Sequence, residues 1–552
     1  MDDAQSSSSA ASPATAQDAP AAPPSPHPSS GGVKETIESI LVAFVLAFIF
    51  RAFVVEAFVI PTGSMAPTLM GAHMRFQCPD CGYKFDVNWS SPSAGDSDDI
   101  DIRANAGRIT LPLYCPNCGF QMDPSQVENP AVYYGDRILV LKYLYLFQQP
   151  TRWDVVVFKS PVSPGRYNYG QNYIKRLIGK PGEAIMVLDG DVYVRAPNAK
   201  SANDFTVQTK PKHVQDALWR LVYDNDYRPQ NNLDRGNVPS FHLPWTASDG
   251  TGWNVNDMSH GRVFGFDNNT GGGTLRFEPN ANPTAQTTSD FLIYDIAPPN
   301  TKHPSGVYPE PWEFPVSDLD LQLTYERTAG DGPLSLTLTK RNHAFTAEIT
   351  PTDATLFHIV NGERVKIGRP MPLDHSSRPV RVELSNADYQ VTLRIDDKIA
   401  AQTTPADYAP DLKQLLQEYR SRVKGPPPRV EIAADRQRCQ LSHLSLWRDV
   451  FYYNSSPGVR WATPDSFPEN AQLLGPDEFF VMGDNSLVSY DARCWTEPIE
   501  LPGEDLRVDA GRVPARFMLG KAFFVYWPAG YRPLSNVPAA FVPNFGDMRM
   551  IH

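Results

Sequence analysis

The decapeptide Ile60-Pro61-Thr62-Gly63-Ser64-Met65-Ala66-Pro67-Thr68-Leu69 decides how the rest of the chain is understood. Its one serine, Ser64, lies between a glycine and a methionine, with Pro61 and Pro67 three residues to either side. Proline fixes φ and glycine opens conformations closed to other residues, so a rigid, non-helical turn is expected. A serine presented on such a turn is a candidate nucleophile. A surface loop with an incidental serine is the competing reading, and the decapeptide alone does not choose between them.

Immediately upstream is the most hydrophobic segment of the chain. Ser39 to Phe50 is a charge-free run of twelve residues, Lys34 precedes it, and apolar character resumes after Arg51 as far as Ile60. About 20 apolar residues span a bilayer, whereas runs of about 10–14 suit a buried helix or a signal-peptide core. Arg51 can snorkel to a membrane surface. No small-residue cleavage site follows at the expected place, which favours an uncleaved anchor over a removed leader. Residues 33–58 are therefore read as one transmembrane anchor, with a buried soluble helix as the alternative. Residues 1–32, rich in Ala, Ser, Pro and Gly, are read as a disordered tail because they hold too few large apolar residues to offset chain entropy.

The chain is long enough for two to four domains. A net charge of −12 argues against a nucleic-acid-binding surface, and 52 prolines point to loops and β structure rather than long helices. Downstream of Ser64, Cys78-Pro79-Asp80-Cys81-Gly82-Tyr83 and Cys115-Pro116-Asn117-Cys118-Gly119-Phe120 repeat one pattern, CPxCG plus an aromatic residue. Each such turn aims two thiolates at one point, and two turns make a tetrahedral site with four sulfur ligands. Structural zinc on Cys78, Cys81, Cys115 and Cys118 is the expectation. Two disulfides or two redox pairs are the alternatives. The polar loop from Trp89 to Asp101 occupies much of the 33-residue gap between the knuckles. Cys439 and Cys494 are left over, and sequence does not show whether they pair.

Strand-like segments follow: Gly135 to Lys142, Trp153 to Lys159, Tyr173 to Glu183 ending in a Pro-Gly turn, and a hairpin from Ala184 to Val194 around Asp189-Gly190. Lys175 lies among Ile174, Leu177 and Ile178. It is either the solvent-facing position of an alternating strand or a lysine in a cleft. In the second case desolvation would make its neutral amine available as a base.

Taken in order, these segments resemble the bacterial type I signal peptidases (leader peptidases), which use a Ser/Lys dyad. Phe58 to Leu69 is similar to that family's serine box, Gly135 to Lys142 to its GDRILVxK strand, and Tyr173 to Glu183 to its lysine box. Val481-Met482-Gly483-Asp484-Asn485, with Ser489, Asp491 and Arg493, resembles its GDN box. Gly520 to Pro528 resembles its closing strand. The resemblance implies Ser64 as nucleophile and Lys175 as general base. It implies an oxyanion hole from the Ser64 N–H and the Thr62 hydroxyl. Ser489 would orient Lys175 by a hydrogen bond, and an Asp491–Arg493 pair would hold the loop. Ser486-Leu487-Val488 departs from the family, where a charged and polar run stands, and Ala492 replaces a common serine. No cofactor is implied for catalysis.

Between Val194 and Leu474 the resemblance lapses. Helical spacing at 211–225 and around Leu412 to Tyr419 interrupts a region of alternating strands, such as Leu319 to Tyr325, Leu334 to Leu338, Val380 to Leu384 and Tyr389 to Asp396. A lectin-like β-sandwich is expected, with a carbohydrate or protein ligand.

The expected fold is mainly β: a signal-peptidase-type antiparallel domain after one N-terminal transmembrane helix, interrupted by a zinc-ribbon-like insert and the sandwich. Its segments are 59–77, 131–195 and 471–552, interrupted at 78–120 and 196–470. The expected function is removal of N-terminal signal peptides from exported preproteins through an acyl-enzyme. The partners would be preproteins and membrane lipid, with no nucleic acid. The expected place is the cytoplasmic membrane, single-pass, with the catalytic part outside. A catalytically inactive, membrane-tethered binding protein is the alternative.

Overall fold

The computed structural model describes residues 32–88, 113–122, 132–161, 170–199, 201, 204–229, 240–248, 251–255, 262–279, 281, 288–290, 294, 314–374, 378–453, 467–501, 506–530 and 544–552. Apart from Gly32, the tail read at 1–32 lies outside these residues, as does the loop read from Trp89 to Asp101. The chain divides at Val54 into a helical unit and a second unit holding the remainder.

The first unit contains the helix Gly32–Phe53, with Glu35 in its first turn, where a carboxylate suits the helix dipole. The expected anchor at 33–58 is corrected at its far end. Residues Val55–Val59 form a strand, because Val-Glu-Ala-Phe-Val is β-prone and pairs antiparallel with Arg137–Leu141. Among the described residues no helix is long and apolar enough to cross a membrane.

The second unit is built on an antiparallel sheet of eight strands. The order is Val55–Val59, Arg137–Leu141, Met518–Trp527, Val155–Lys159, Asn172–Gly179, Glu478–Met482 and Val513–Pro514, with Arg549–Met550 also paired to Met518–Trp527. Both faces are covered. Val155 and Val157 join one apolar cluster, while Val156 and Phe158 join another on the opposite side, as the period of two requires. A strand in this position is buried along its length, and every residue from Tyr173 to Gly179 is.

The hairpin Ala184–Leu188 to Asp191–Arg195 turns through Asp189 (φ 56°) and Gly190 (φ 89°), the conformation that a two-residue turn of this hand needs. Ala184–Leu188 also pairs with Gln472–Leu473, so the chain leaving after this hairpin returns alongside it. The intervening region is hydrogen-bonded into one continuous 13-stranded antiparallel sheet. Its hub is Val430–Arg448, a strand of 19 residues pairing with Arg220–Asp224, Phe264–Phe277, Leu319–Gly330 and Leu334–Lys340. Register shifts fall beside Arg436 (φ 41°) and His443 (φ 51°), and such bulges bend a strand enough to serve several neighbours. The helical spacing at 211–225 is a helix only over Lys212–Leu218 and becomes strand at Arg220–Asp224. Leu412–Arg420 is a helix whose N-cap Asp411 accepts from the Gln414 N–H.

Ion pairs fasten this inserted region to the hairpin and cross-link it internally. The Lys340 Nζ donates to Asp318 Oδ1 at 2.6 Å and to Asp191 Oδ2, on the hairpin, at 3.0 Å. Lys210 Nζ lies 2.5 Å from Asp388 Oδ1 and 2.8 Å from Asp449 Oδ2. Arg341 pairs with Asp189 at 2.7 Å.

Candidate functional site

After Val59 the backbone is pinned by the Ile60 N–H on the Asp136 carbonyl (2.9 Å) and makes one turn of 3-10 helix over Gly63–Met65. The expectation of a non-helical turn is corrected here. Gly63 and the unbranched Met65 allow a short helical turn, closed by the Ala66 N–H on the Gly63 carbonyl at 3.0 Å. Met65 and Leu69 are fully buried with Ile138, Val140 and Val157, so the loop is anchored from below. Asp136 ties off its far end. Its carboxylate accepts from the Met70 N–H (3.0 Å), the Ala529 N–H (3.0 Å) and Arg549 (2.8 Å).

Lys175 is paired with Val156 across the strand and is 5% exposed, which removes the solvent-facing reading. Its Nζ donates to Ser64 Oγ at 2.8 Å and to the Ile174 carbonyl at 3.0 Å. The neighbouring Arg176 is fully buried against Asp484, with Nε–Oδ1 at 2.6 Å and Nη2–Oδ2 at 2.7 Å. Burial works against the guanidinium cation, and the Asp484 carboxylate outweighs it and holds the group above its ordinary range.

The loop after Met482 meets the serine turn from the other side. The Asn485 N–H donates to the Ser64 carbonyl (3.0 Å) and its Nδ2 to the Gly63 carbonyl (3.3 Å). Asp491 receives the Gly483 N–H at 2.9 Å and a bidentate pair from Arg493 at 2.8 and 2.7 Å, both side chains nearly fully buried. Asn485, Asp484 and Arg176 stand inside motifs quoted from the sequence, but nothing there marks them as contacts of the serine turn or of one another.

One expected contact is not made. The buried Ser489 hydroxyl has no hydrogen-bond partner among the described residues, Lys175 included. Gly483 has no Cβ, and the Ser489 hydroxyl and the Ser64 carbonyl close onto the space where one would stand. Ser489 therefore packs on that glycine. Thr62 is extended at the start of the 3-10 turn, half-buried, and its hydroxyl caps none of that turn's N–H groups.

The four knuckle cysteines are buried free thiols. The closest sulfur pairs are Cys81–Cys115 at 3.5 Å and Cys78–Cys118 at 3.6 Å, far outside disulfide length. All four sulfurs lie within 4.8 Å of one another. Both knuckles close alike, with the Gly82 N–H on the Cys78 carbonyl and the Gly119 N–H on the Cys115 carbonyl, each at 2.9 Å. Gly82 (φ 79°) and Gly119 (φ 71°) take the left-handed conformation there, which explains the glycine after each second cysteine. A second close group, Asp191, Asp318 and Asp388, is matched by Lys340 and Lys210. Cys439 and Cys494 are free thiols, so they do not pair.

The site is a buried amine, on an interior strand of an antiparallel sheet, held on a serine hydroxyl. In sequence, the signal peptidase family (peptidase S26) matches residues 33–96, 119–256 and 393–527. The chain belongs to that family. A probable signal peptidase I-2 of Synechocystis sp. is 31% identical over 122 residues, 21% of this chain and 55% of that protein. The signal peptidase I of Leptolyngbya laminosa is 33% identical over 92 residues, covering 16% and 44%. Thylakoidal processing peptidase 1 of Arabidopsis thaliana is 34% identical over 126 residues, covering 21% and 36%. The chain thus spans about half the length, or less, of these curated relatives. Among solved structures, the carbohydrate-binding module CBM66 of Bacillus subtilis is 11% identical with a TM-score of 0.23, covering 38% of this chain and 96% of that one. The laminarinase catalytic domain of Thermotoga maritima is 9% identical with a TM-score of 0.25, covering 42% and 98%. Scores this low establish no shared fold.

Proposed function

We propose that this chain is a serine endopeptidase that removes signal peptides from exported preproteins through a Ser64/Lys175 dyad. The observation that carries the reading is the 2.8 Å contact of Lys175 Nζ with Ser64 Oγ inside a buried strand. A serine hydroxyl needs a base within hydrogen-bond reach, and a lysine acts as one only when neutral. Lys175 takes the hydroxyl proton as Ser64 Oγ attacks the scissile carbonyl. It gives that proton to the departing amine, and the acyl-enzyme remains. Lys175 then takes a proton from the water that attacks the ester, and Ser64 regains its own as the acid leaves. The Ser64 N–H and the Thr62 hydroxyl stabilise the oxyanion at both steps. Asp491 and Arg493 hold the loop that abuts Ser64. The preprotein binds as an added strand, recognised by backbone hydrogen bonds.

The helix Gly32–Phe53 attaches the enzyme to the cytoplasmic membrane, with the catalytic part on the outer side. In support, Ile37, Leu41, Phe44, Leu46 and Phe48 are all more than half exposed on it. Cys78, Cys81, Cys115 and Cys118 hold one structural zinc ion, for which the four converging sulfurs are a suitable donor set. Metal analysis of the purified chain should find about one zinc per chain, and its removal by a chelator should lower the melting temperature. Mapped disulfides within the CxxC pairs would remove this part of the proposal.

Purified wild type, Ser64→Ala and Lys175→Ala should be compared on a preprotein. Each variant is expected to lose at least ~10³-fold in kcat. Equal activity of all three would sink the enzyme reading and leave the inactive, membrane-tethered binding protein.

A further inference from the structure

The inserted region reaches the serine turn itself. Tyr294, deep within that region by sequence, is buried and shares a small cluster with Ala66 and Met70. A Cβ built on Gly63 would stand 2.6 Å from Tyr294 Cε1 and 2.7 Å from its Oη, so the ring lies directly on the glycine that precedes Ser64. Its hydroxyl reaches Asn88 Oδ1 at 3.5 Å, on the strand that follows the first cysteine knuckle.

The same region also grips the loop on the opposite side of the turn. Leu487 is buried against Phe314, Phe451 and Tyr453. Phe314 and Phe451 stack at 5.4 Å, and Phe451 meets Tyr453 edge-on at 5.3 Å. The Tyr453 N–H donates to Ser486 Oγ at 2.9 Å, and its carbonyl accepts from Arg493 at 3.1 Å. Ser486 and Leu487 are positions where the sequence departs from the family's polar run. The departure has a physical reason: this loop faces an aromatic platform from the insert. Asn485, one residue before Ser486, carries the two hydrogen bonds to the Gly63 and Ser64 carbonyls.

The two contacts therefore converge on one peptide unit. Tyr294 covers the Cα face of Gly63, and the platform under Leu487 fixes the loop that binds the Gly63 and Ser64 carbonyls. We infer that the inserted region is a working part of the active site, with Tyr294 and Leu487 as positioning residues that set the Ser64 hydroxyl on Lys175. The inference rests on the peptidase reading. Tyr294 lies on Gly63, and Leu487 on the platform that holds the neighbouring loop. Each acts by restricting the serine turn, and small misplacements of a reacting group are costly in rate.

The test is Tyr294→Ala, Tyr294→Phe and Leu487→Ser in the full chain, with kcat and KM on a preprotein and amide hydrogen exchange over residues 63–66. Tyr294→Ala is expected to lower kcat about 10- to 100-fold with KM within about threefold, and to speed exchange at Ser64 to Ala66 at least tenfold. Tyr294→Phe keeps the ring and should recover kcat to within about threefold of wild type. Leu487→Ser should act like Tyr294→Ala to a smaller degree. If Tyr294→Ala does not fold, Tyr294→Leu, which keeps apolar volume without the ring, is judged by the same criteria. A folded Tyr294→Ala, or Tyr294→Leu in its place, with kcat within about twofold of wild type or with unchanged exchange overturns the inference. If wild-type protein cleaves no preprotein, the peptidase reading falls, and exchange alone decides whether Tyr294 orders the turn.

Discussion

Among the described residues three lysines are buried, in two regions, and their surroundings contrast. At the serine turn, Lys175 Nζ meets a hydroxyl and a carbonyl oxygen. At the seam where the inserted region meets the Ala184–Arg195 hairpin, Lys210 and Lys340 each meet two aspartates, of which Asp191 is on the hairpin. Burial pulls both seam lysines down, and Asp388 with Asp449, or Asp191 with Asp318, outweighs it and holds them well above the usual lysine range. They are locked as ammonium ions. Burial alone thus does not make a lysine reactive; the atoms its amine faces decide whether it carries structure or chemistry.

Substituting all three by methionine is the strongest way to break this contrast. Lys175→Met should abolish preprotein cleavage, by at least ~10³-fold, while changing unfolding free energy by less than about 1.5 kcal/mol. Lys210→Met and Lys340→Met should do the reverse. Each strands buried carboxylates, and a loss of about 3–5 kcal/mol is expected in urea unfolding, with residual activity proportional to the folded fraction. A Lys340→Met protein as stable as wild type would show that the seam pairs hold nothing together.

A gentler probe sits two residues from Asp318. Asp320 is buried, its Oδ1 has no hydrogen-bond partner among the described residues, and burial, reinforced by the Glu383 carboxylate, pushes its carboxyl up to about 8. The folded chain keeps a proton there that the unfolded chain releases near pH 4, so stability falls as pH rises from about 4 to about 8. Asp320→Asn should flatten that slope and be more stable than wild type at pH 8 by about 1–2 kcal/mol, read from melting curves across the pH range. A steeper slope in the variant would contradict the assignment.

The contrast also explains what can be read from the sequence. Ser64, Lys175 and the two cysteine knuckles are legible because their chemistry demands a residue type within a short, recognisable frame. The seam is not legible: Asp191 and Lys340 are ordinary residues separated by nearly 150 positions, and only the folded hairpin brings them together. Tyr294 has no motif around it, and its meaning lies in a glycine more than 200 residues away. The anchor boundary is misjudged for a local reason. Val55–Val59 continues an apolar run, and five residues of alternation are too few to announce a strand until Arg137–Leu141 is beside it. Ser489 shows the limit of a motif, since the resemblance supplies its neighbour but not which way its hydroxyl points. The inserted sheet is legible as alternation, but not its continuity, which depends on two bulges in Val430–Arg448.

The placement of Met518–Trp527 in the middle of the eight-stranded sheet has a consequence in time. That strand lies between Arg137–Leu141 and Val155–Lys159, so the sheet cannot close until it has been synthesised. It follows Lys175 by roughly 340 residues, which at ~5–20 residues per second is a delay of roughly 20–70 s. Ser64 and Lys175 are both made long before the frame that joins them, so the newborn chain carries its reactive pair unassembled through more than half of its own synthesis.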